Sequence, residues 1–292
     1  MGSIVAGILL AIIPISNSGR FTKGFTNINL SHEVLVTKPD HDQESIYWAN
    51  LMGSHLEGAQ LHNSVLSRAN LKEASLRFAN LDFAVLDKAS LIDANLQYAS
   101  LRFSNLKETT LVGAHLNRAD LRWGKFKKAN FFRAYLERTS LFSAHLEEAD
   151  LGEGHLEEAD LRYAHAEKAN FGRARLNGAM LERAHFVGTD LSEAHLEEAL
   201  LNCANFQGAN LRDVYLDGAD LSHANFRGVK HLTIDQLSKA KTLYMIKLDS
   251  SVLKNIKKNY PDLWTSHKFA KEESEVQCLP EPPPMPCDIC PP

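Results

Sequence analysis

The sequence predicts an all-β solenoid: a four-sided β-helix of about nine coils closed by a C-terminal helical cap. Three observations predict it. A large apolar residue recurs every fifth position, a small residue stands two positions before it, and side-chain type segregates again with a period of twenty. Reading every fifth residue from Ile46 to Phe226 gives 37 positions, of which 29 are Leu and six are Phe, with Ile46 and Ala166 the exceptions. In 27 of the 36 small positions the residue is Ala, and the rest are Ser, Thr, Gly or Val. A period of five matches neither the 3.6 of a helix nor the 2.0 of a flat strand.

The twenty-residue period makes each pentapeptide one side of a square coil. Large and small residues then both face a narrow lumen, where a second large residue would overpack. Stacked coils pair their backbones as parallel strands do, satisfying the N–H and C=O groups. Sorted by position modulo twenty, the columns Leu61–Leu221 and Leu56–Leu216 hold only Leu, and all six Phe fall in the other two. Ala166 lies between Phe171 on the next side and Phe186 one turn on, so those rings are expected to fill its missing volume. At about 4.8 Å per stacked strand, nine coils make a rod on the order of 43 Å long.

The runs Ala119-Asp120-Leu121, Ala149-Asp150-Leu151, Ala159-Asp160-Leu161, Ala209-Asn210-Leu211 and Ala219-Asp220-Leu221 carry the resemblance to a known family. They match the A(D/N)LXX consensus, and the chain resembles the pentapeptide-repeat proteins over its central 180 or so residues. The resemblance implies a right-handed quadrilateral β-helix, a hand that the period alone does not fix. It also implies a protein-binding or scaffolding rod, and for some members topoisomerase (gyrase) modulation by DNA mimicry.

The sequence divides into a short apolar N-terminal segment (1–20), a linker or N-terminal cap (21–45), the repeat (46–230), a helical cap (231–266) and a Pro-rich tail expected to be disordered (267–292). In the cap, Thr233 and Gln236 read as a capping box, and Ile234, Leu237, Leu243 and Ile246 as one amphipathic helix. A second helix starts at Asp249 or Ser250 and stops before Pro261. The apolar run Ile4–Ile15 is shorter than the roughly 20 residues a membrane span needs. Two readings of it stay open, a shortened membrane anchor like that of membrane-linked bacterial members, and a cap on the first coil. Membrane association is the localisation expected on the first, cytoplasmic on the second.

Composition narrows function. The net charge is −4, from 32 basic and 36 acidic residues, so bulk attraction to nucleic acid or anionic lipid is not expected. Within 46–229 the count is 24 acidic against 20 basic, short of what a DNA mimic calls for. Three of the four cysteines lie in the last fifteen residues, so no disulfide framework is expected to hold the body together. No phosphate loop, nucleophile elbow or zinc-protease helix occurs, and neither an enzyme nor a cofactor is expected. The pair Cys287/Cys290 is too little for a metal site.

Function is therefore sought in the outward columns. One reads Phe83, Phe103, Trp123, Ser143, Tyr163, and its neighbour holds Arg102, Arg122 and Arg162. Rings beside guanidinium groups suit stacking on a partner's aromatic side chains, on sugars or on bases. The alternative is that they only brace adjacent coils. His145, His165 and His185 form one outward column and His55, His115, His155 and His195 another, and a straight ladder is a poor tetrahedral metal cage. Seven basic residues fall in 118–138 and seven acidic ones in 147–160, which reads as a solvated surface or as a dipolar face for a basic partner. The chain is thus expected to be a non-catalytic interaction rod for a protein partner. DNA mimicry, and carbohydrate or nucleic-acid binding through the ring column, are the alternatives.

Overall fold

In the computed structural model, residues 50–261 and Cys278 are described. The segments 1–20 and 21–45, most of 267–292, and with them the anchor-or-cap question and the Cys287/Cys290 pair, lie outside these residues. No helix among the described residues is long and apolar enough to cross a membrane.

The repeat builds a right-handed four-sided rod. Parallel bridges join residues twenty apart from Asn50↔Asn70 through Asn210↔Lys230. Within a side, Leu51 N donates to Asn70 O at 2.7 Å and Gly53 N to Lys72 O at 2.8 Å, so neighbouring coils consume each other's polar groups. Each corner is a turn closed by the small residue donating back to the large one, as Ser54 N does to Leu51 O at 3.1 Å. The third residue of every such turn has positive φ, for example Gly53 at 63° and Arg68 at 59°, the signature of a type II turn.

This geometry explains the consensus. Asn or Asp before the Leu turns its side chain onto the N–H two residues on, as Asn80 Oδ1 accepts from Asp82 N at 3.0 Å and Asp150 Oδ1 from Gly152 N at 3.0 Å. That Asx bond satisfies a corner N–H. The lumen is solid Leu, Phe and Ala, all buried. Ala166 is fully buried, the Phe171 and Phe186 rings meet with centroids 5.1 Å apart, and Phe186, Phe206 and Phe226 continue the stack. Where Thr replaces Ala its hydroxyl finds a lumen carbonyl, as Thr139 Oγ1 does Leu116 O at 2.7 Å.

The cap differs from the expectation in one respect. Helix α1 (Ile234–Lys239) carries the capping box: Thr233 N donates to Gln236 Oε1 at 2.7 Å and Gln236 N to Thr233 Oγ1 at 3.2 Å. It stops before Leu243 and Ile246, which do not lie on it. Instead the chain resumes the repeat with a two-residue slip, bridging Asp220↔Thr242 and Asn225↔Lys247. Leu243 and Leu248 take the large position and Ile246 the small one, with Ile246 N closing a corner on Leu243 O at 3.1 Å. Helix α2 (Ser250–Asn259) then crosses the end and buries Ile256 over it, covering the lumen that a bare last coil would expose.

Candidate functional site

Positive φ at each corner aims the third turn residue outward, and the twenty-residue coil stacks these residues in register. Phe83, Phe103, Trp123 and Tyr163 all have this conformation, with φ between 56° and 59°. Phe83 and Phe103 stack with centroids 5.0 Å apart at 7°, and Phe103 and Trp123 at 5.0 Å and 4°. The column would break at Ser143, which is buried. It does not, because Phe142 turns in from the adjacent column. Its ring meets Trp123 at 5.8 Å and 70° and Tyr163 at 5.3 Å and 57°. Phe142 was not among the residues singled out from sequence. The signal was there, an aromatic next to the one non-aromatic member of the column.

The arginines border this stack but do not stand free. Arg102 is held by Asp82, which is nearly buried and also accepts from Arg102 N at 3.0 Å. Arg122 grips Asp120 at 2.8 and 2.6 Å, and Arg162 grips Asp160 at 2.8 Å through both nitrogens. These carboxylate bonds raise the pKa of all three guanidinium groups against the opposing effect of partial burial. Pinned in this way, Arg122 lies 5.4 Å from the Trp123 ring centroid and Arg162 5.6 Å from that of Phe142. Arg183 lies over Tyr163 at 5.6 Å and donates to its hydroxyl at 3.1 Å. The face is therefore apolar rings edged with planar, charge-balanced guanidinium groups. That suits a neutral or ring-bearing ligand; counterion release by a polyphosphate needs uncompensated cations.

The other columns resolve differently. The basic and acidic runs are one coil apart, so they pair with each other. Arg133 Nε donates to Glu153 at 2.7 Å, Arg138 Nε to Glu158 at 2.8 Å, and Lys127 and Lys128 both reach Glu148. Arg173 and Glu193 repeat the motif at 2.9 Å. Hydrogen bonds from these arginines hold the Glu158 and Glu193 carboxyls below their usual range. The segregation seen in sequence is thus a ladder of inter-coil ion pairs rather than a dipolar face.

The histidines stack as columns, His145 on His165 at 5.1 Å and His165 on His185 at 4.8 Å. The glutamate two residues on joins them, as in His145–Glu147 at 3.2 Å and His195–Glu197 at 3.0 Å. His165, Glu167 and His185 bring three donor atoms within 4.8 Å of one another, as do Glu137, His155 and Glu157. Both groups are half-exposed and have three members among the described residues, whereas a closed tetrahedral site takes four.

The same four-sided architecture is found in known proteins. The family described as pentapeptide repeats matches in eight copies, over segments running from residue 49 to residue 228. The chain belongs to the pentapeptide-repeat family. HetL, a pentapeptide-repeat protein involved in heterocyst differentiation regulation in the cyanobacterium Nostoc sp. strain PCC 7120, is similar in structure with a TM-score of 0.67. It is 33% identical over 78% of this chain and 93% of its own. QnrB1, a plasmid-mediated fluoroquinolone resistance protein, is 17% identical over 81% of this chain and 97% of its own, with a TM-score of 0.33. No curated protein matches the sequence significantly.

One feature of this pentapeptide-repeat rod adds to the sequence reading, which expected no disulfide framework within the body. Cys203 is bonded to Cys278 with Cα atoms 5.6 Å apart, so a disulfide does join the body, to a residue of the tail. Cys203 stands in the ring column, two rungs beyond Tyr163.

Proposed function

We propose that this pentapeptide-repeat chain is a non-catalytic protein-interaction rod that engages its partner through Phe83, Phe103, Trp123, Phe142 and Tyr163 with Arg102, Arg122 and Arg162. One observation carries the reading. The rings form an unbroken stack across five coils, although the sequence places a serine in its middle. Such half-exposed aromatic and Arg side chains, preorganised on a rigid scaffold, are what interface anchors are made of. Bracing of adjacent coils alone does not call for the guanidinium edging, since the coils are already joined by backbone bonds on every side.

DNA mimicry gains no support, because Glu148, Glu153, Glu158 and Glu193 are each engaged by a basic residue one coil away. The test is affinity capture from the native host with wild-type chain and Trp123→Ala, read by quantitative mass spectrometry. A partner whose recovery falls about tenfold, a loss of about 1.4 kcal/mol, supports the reading. Equal recovery by two equally folded chains sinks it.

A further inference from the structure

His165 sits on the flat side of its coil between the corner residues Tyr163 and Lys168, and pairs across coils with His145 before it and His185 after it. By itself this ladder is a poor cage, because its rings lie nearly parallel: those of His165 and His185 are 4.8 Å apart at 14°. Glu167 changes the geometry. It stands off the ladder, in the turn that follows His165, and its Oε1 faces both rungs, 3.7 Å from His165 Nδ1 and 4.0 Å from His185 Nδ1. The three donor atoms lie within 4.8 Å of one another, so two rungs and one carboxylate make a triangle in place of a line.

The other Glu167 oxygen, Oε2, is enclosed and has no hydrogen-bond partner. An enclosed carboxylate oxygen without a donor costs free energy, which a cation beside it offsets. Glu57 and Glu157 enclose the same oxygen, and each also follows a histidine by two residues. One coil beyond those histidines, however, stand Ser75 and Arg175, and neither brings a metal-binding nitrogen. Arg175 instead sets Nη1 at 3.9 Å from Glu157 Oε1, so the group of Glu137, His155 and Glu157 already has a positive charge where an ion would go. At Glu167 the corresponding place is held by His185, a second imidazole.

We propose that His165, Glu167 and His185 form a surface site for a divalent transition-metal ion of the zinc class, with the outward coordination positions left to water. Two imidazoles and one carboxylate are a set that zinc takes when it keeps an open position. Imidazole nitrogen also selects such ions over magnesium and calcium, which prefer oxygen. Zinc bonds of about 2.0–2.2 Å put tetrahedral ligands about 3.4 Å apart. The edges of 3.7 and 4.0 Å from Glu167 are already close to that. The nitrogen–nitrogen edge closes when the two half-exposed rings tilt toward each other about χ2, a broad torsion in histidine. The backbone stays in place, because the His165↔His185 bridge holds both rungs. A bound ion ties two successive coils together, and the site is independent of the ring face.

The test uses the full chain with Cys287→Ser and Cys290→Ser, so that those thiols do not take the metal. Zinc affinity is measured by competition with a chromophoric chelator, in that parent and with His185→Gln, Glu167→Gln or His155→Gln added. Circular dichroism checks that each variant folds, and Glu167→Gln keeps the size and shape of the side chain it replaces. The parent should bind one equivalent of zinc, and zinc should raise its urea midpoint, since the unfolded chain has no such site. His185→Gln and Glu167→Gln should each weaken binding at least about tenfold and abolish the rise in midpoint. His155→Gln, in the Glu137 group, should change neither. Absence of zinc binding in the parent overturns the proposal. So does binding that survives His185→Gln or Glu167→Gln at full strength, or that is lost with His155→Gln.

Discussion

Phe142 crosses the Trp123 indole at 70° with ring centroids 5.8 Å apart, and so spans the gap that Ser143 leaves in the column. The contact joins the two halves of the proposed face. Phe142→Ala should cost about 1–2 kcal/mol of stability, since an aromatic pair contributes about 0.5–1.5 kcal/mol beyond its area. Adding Ser143→Phe puts a ring back in the column and should recover most of the loss in urea denaturation. A double variant no better than Phe142→Ala alone would show that the stack does not matter at this rung.

Gly124 stands where the repeat calls for Ala, and Phe126 is the reason. A Cβ at position 124 would lie 2.5 Å from Phe126 Cε2 and 2.7 Å from Cζ, so the ring occupies the methyl's space. Gly124→Ala is expected to destabilise by about 1–3 kcal/mol through overpacking. Combined with Phe126→Leu, which restores the ordinary pair, the cost should fall well below the sum of the single changes. Additivity within about 0.5 kcal/mol in a double-mutant cycle would contradict this pairing.

These two cases show where the sequence was legible and where it was not. The lumen could be read because period five and period twenty are properties of the side-chain order itself. Gly124 could not, because it depends on which way the Phe126 ring turns, and Phe142 beside Ser143 was a signal whose meaning waited on the direction of its ring. The end of α1 was misread because Leu243 and Ile246 fit a helical face as well as a repeat shifted by two residues. The charge runs looked like patches until the twenty-residue coil set Arg138 against Glu158. Cys203 lies 75 residues from Cys278 along the chain, and only the fold shows that its outward corner is free to meet the tail.

Glu182, beside Tyr163, supplies a pH test. Burial raises its carboxyl pKa, Arg162 and Arg183 only partly offset this, and Oε2 is enclosed without a hydrogen-bond partner. The native chain therefore holds this proton more tightly than the unfolded chain, whose Glu titrates near about 4.3. Stability from this group is greatest below that value and falls as pH rises through the raised pKa. Glu182→Gln should be more stable than wild type at neutral pH, with the advantage shrinking toward roughly pH 4. An advantage that is absent, or that grows on acidification in urea titrations, would contradict the assignment.

The Cys203–Cys278 bond closes a loop with a sequence separation of 75. Cys278→Ser should lower unfolding free energy by about 2–4 kcal/mol, mostly by freeing the unfolded chain. Wild type under a reductant should converge on the variant. Identical urea midpoints for oxidised wild type and Cys278→Ser would mean that the bond adds no stability to the rod.

The central claim, that function lies on the Phe83–Tyr163 face, is tested most directly by comparing two ring stacks on one rod. Phe78 and Tyr98 form a stack of the same kind on another column, with centroids 5.1 Å apart and Phe78 well exposed. In a chain ending at Cys278, the affinity of the captured partner is measured for Phe103→Ser/Trp123→Ser and for Phe78→Ser/Tyr98→Ser. The first pair should weaken binding by at least about tenfold, or about 1.4 kcal/mol, and the second should leave it unchanged. Equal affinities for the two pairs, or a loss confined to the second, would contradict the claim.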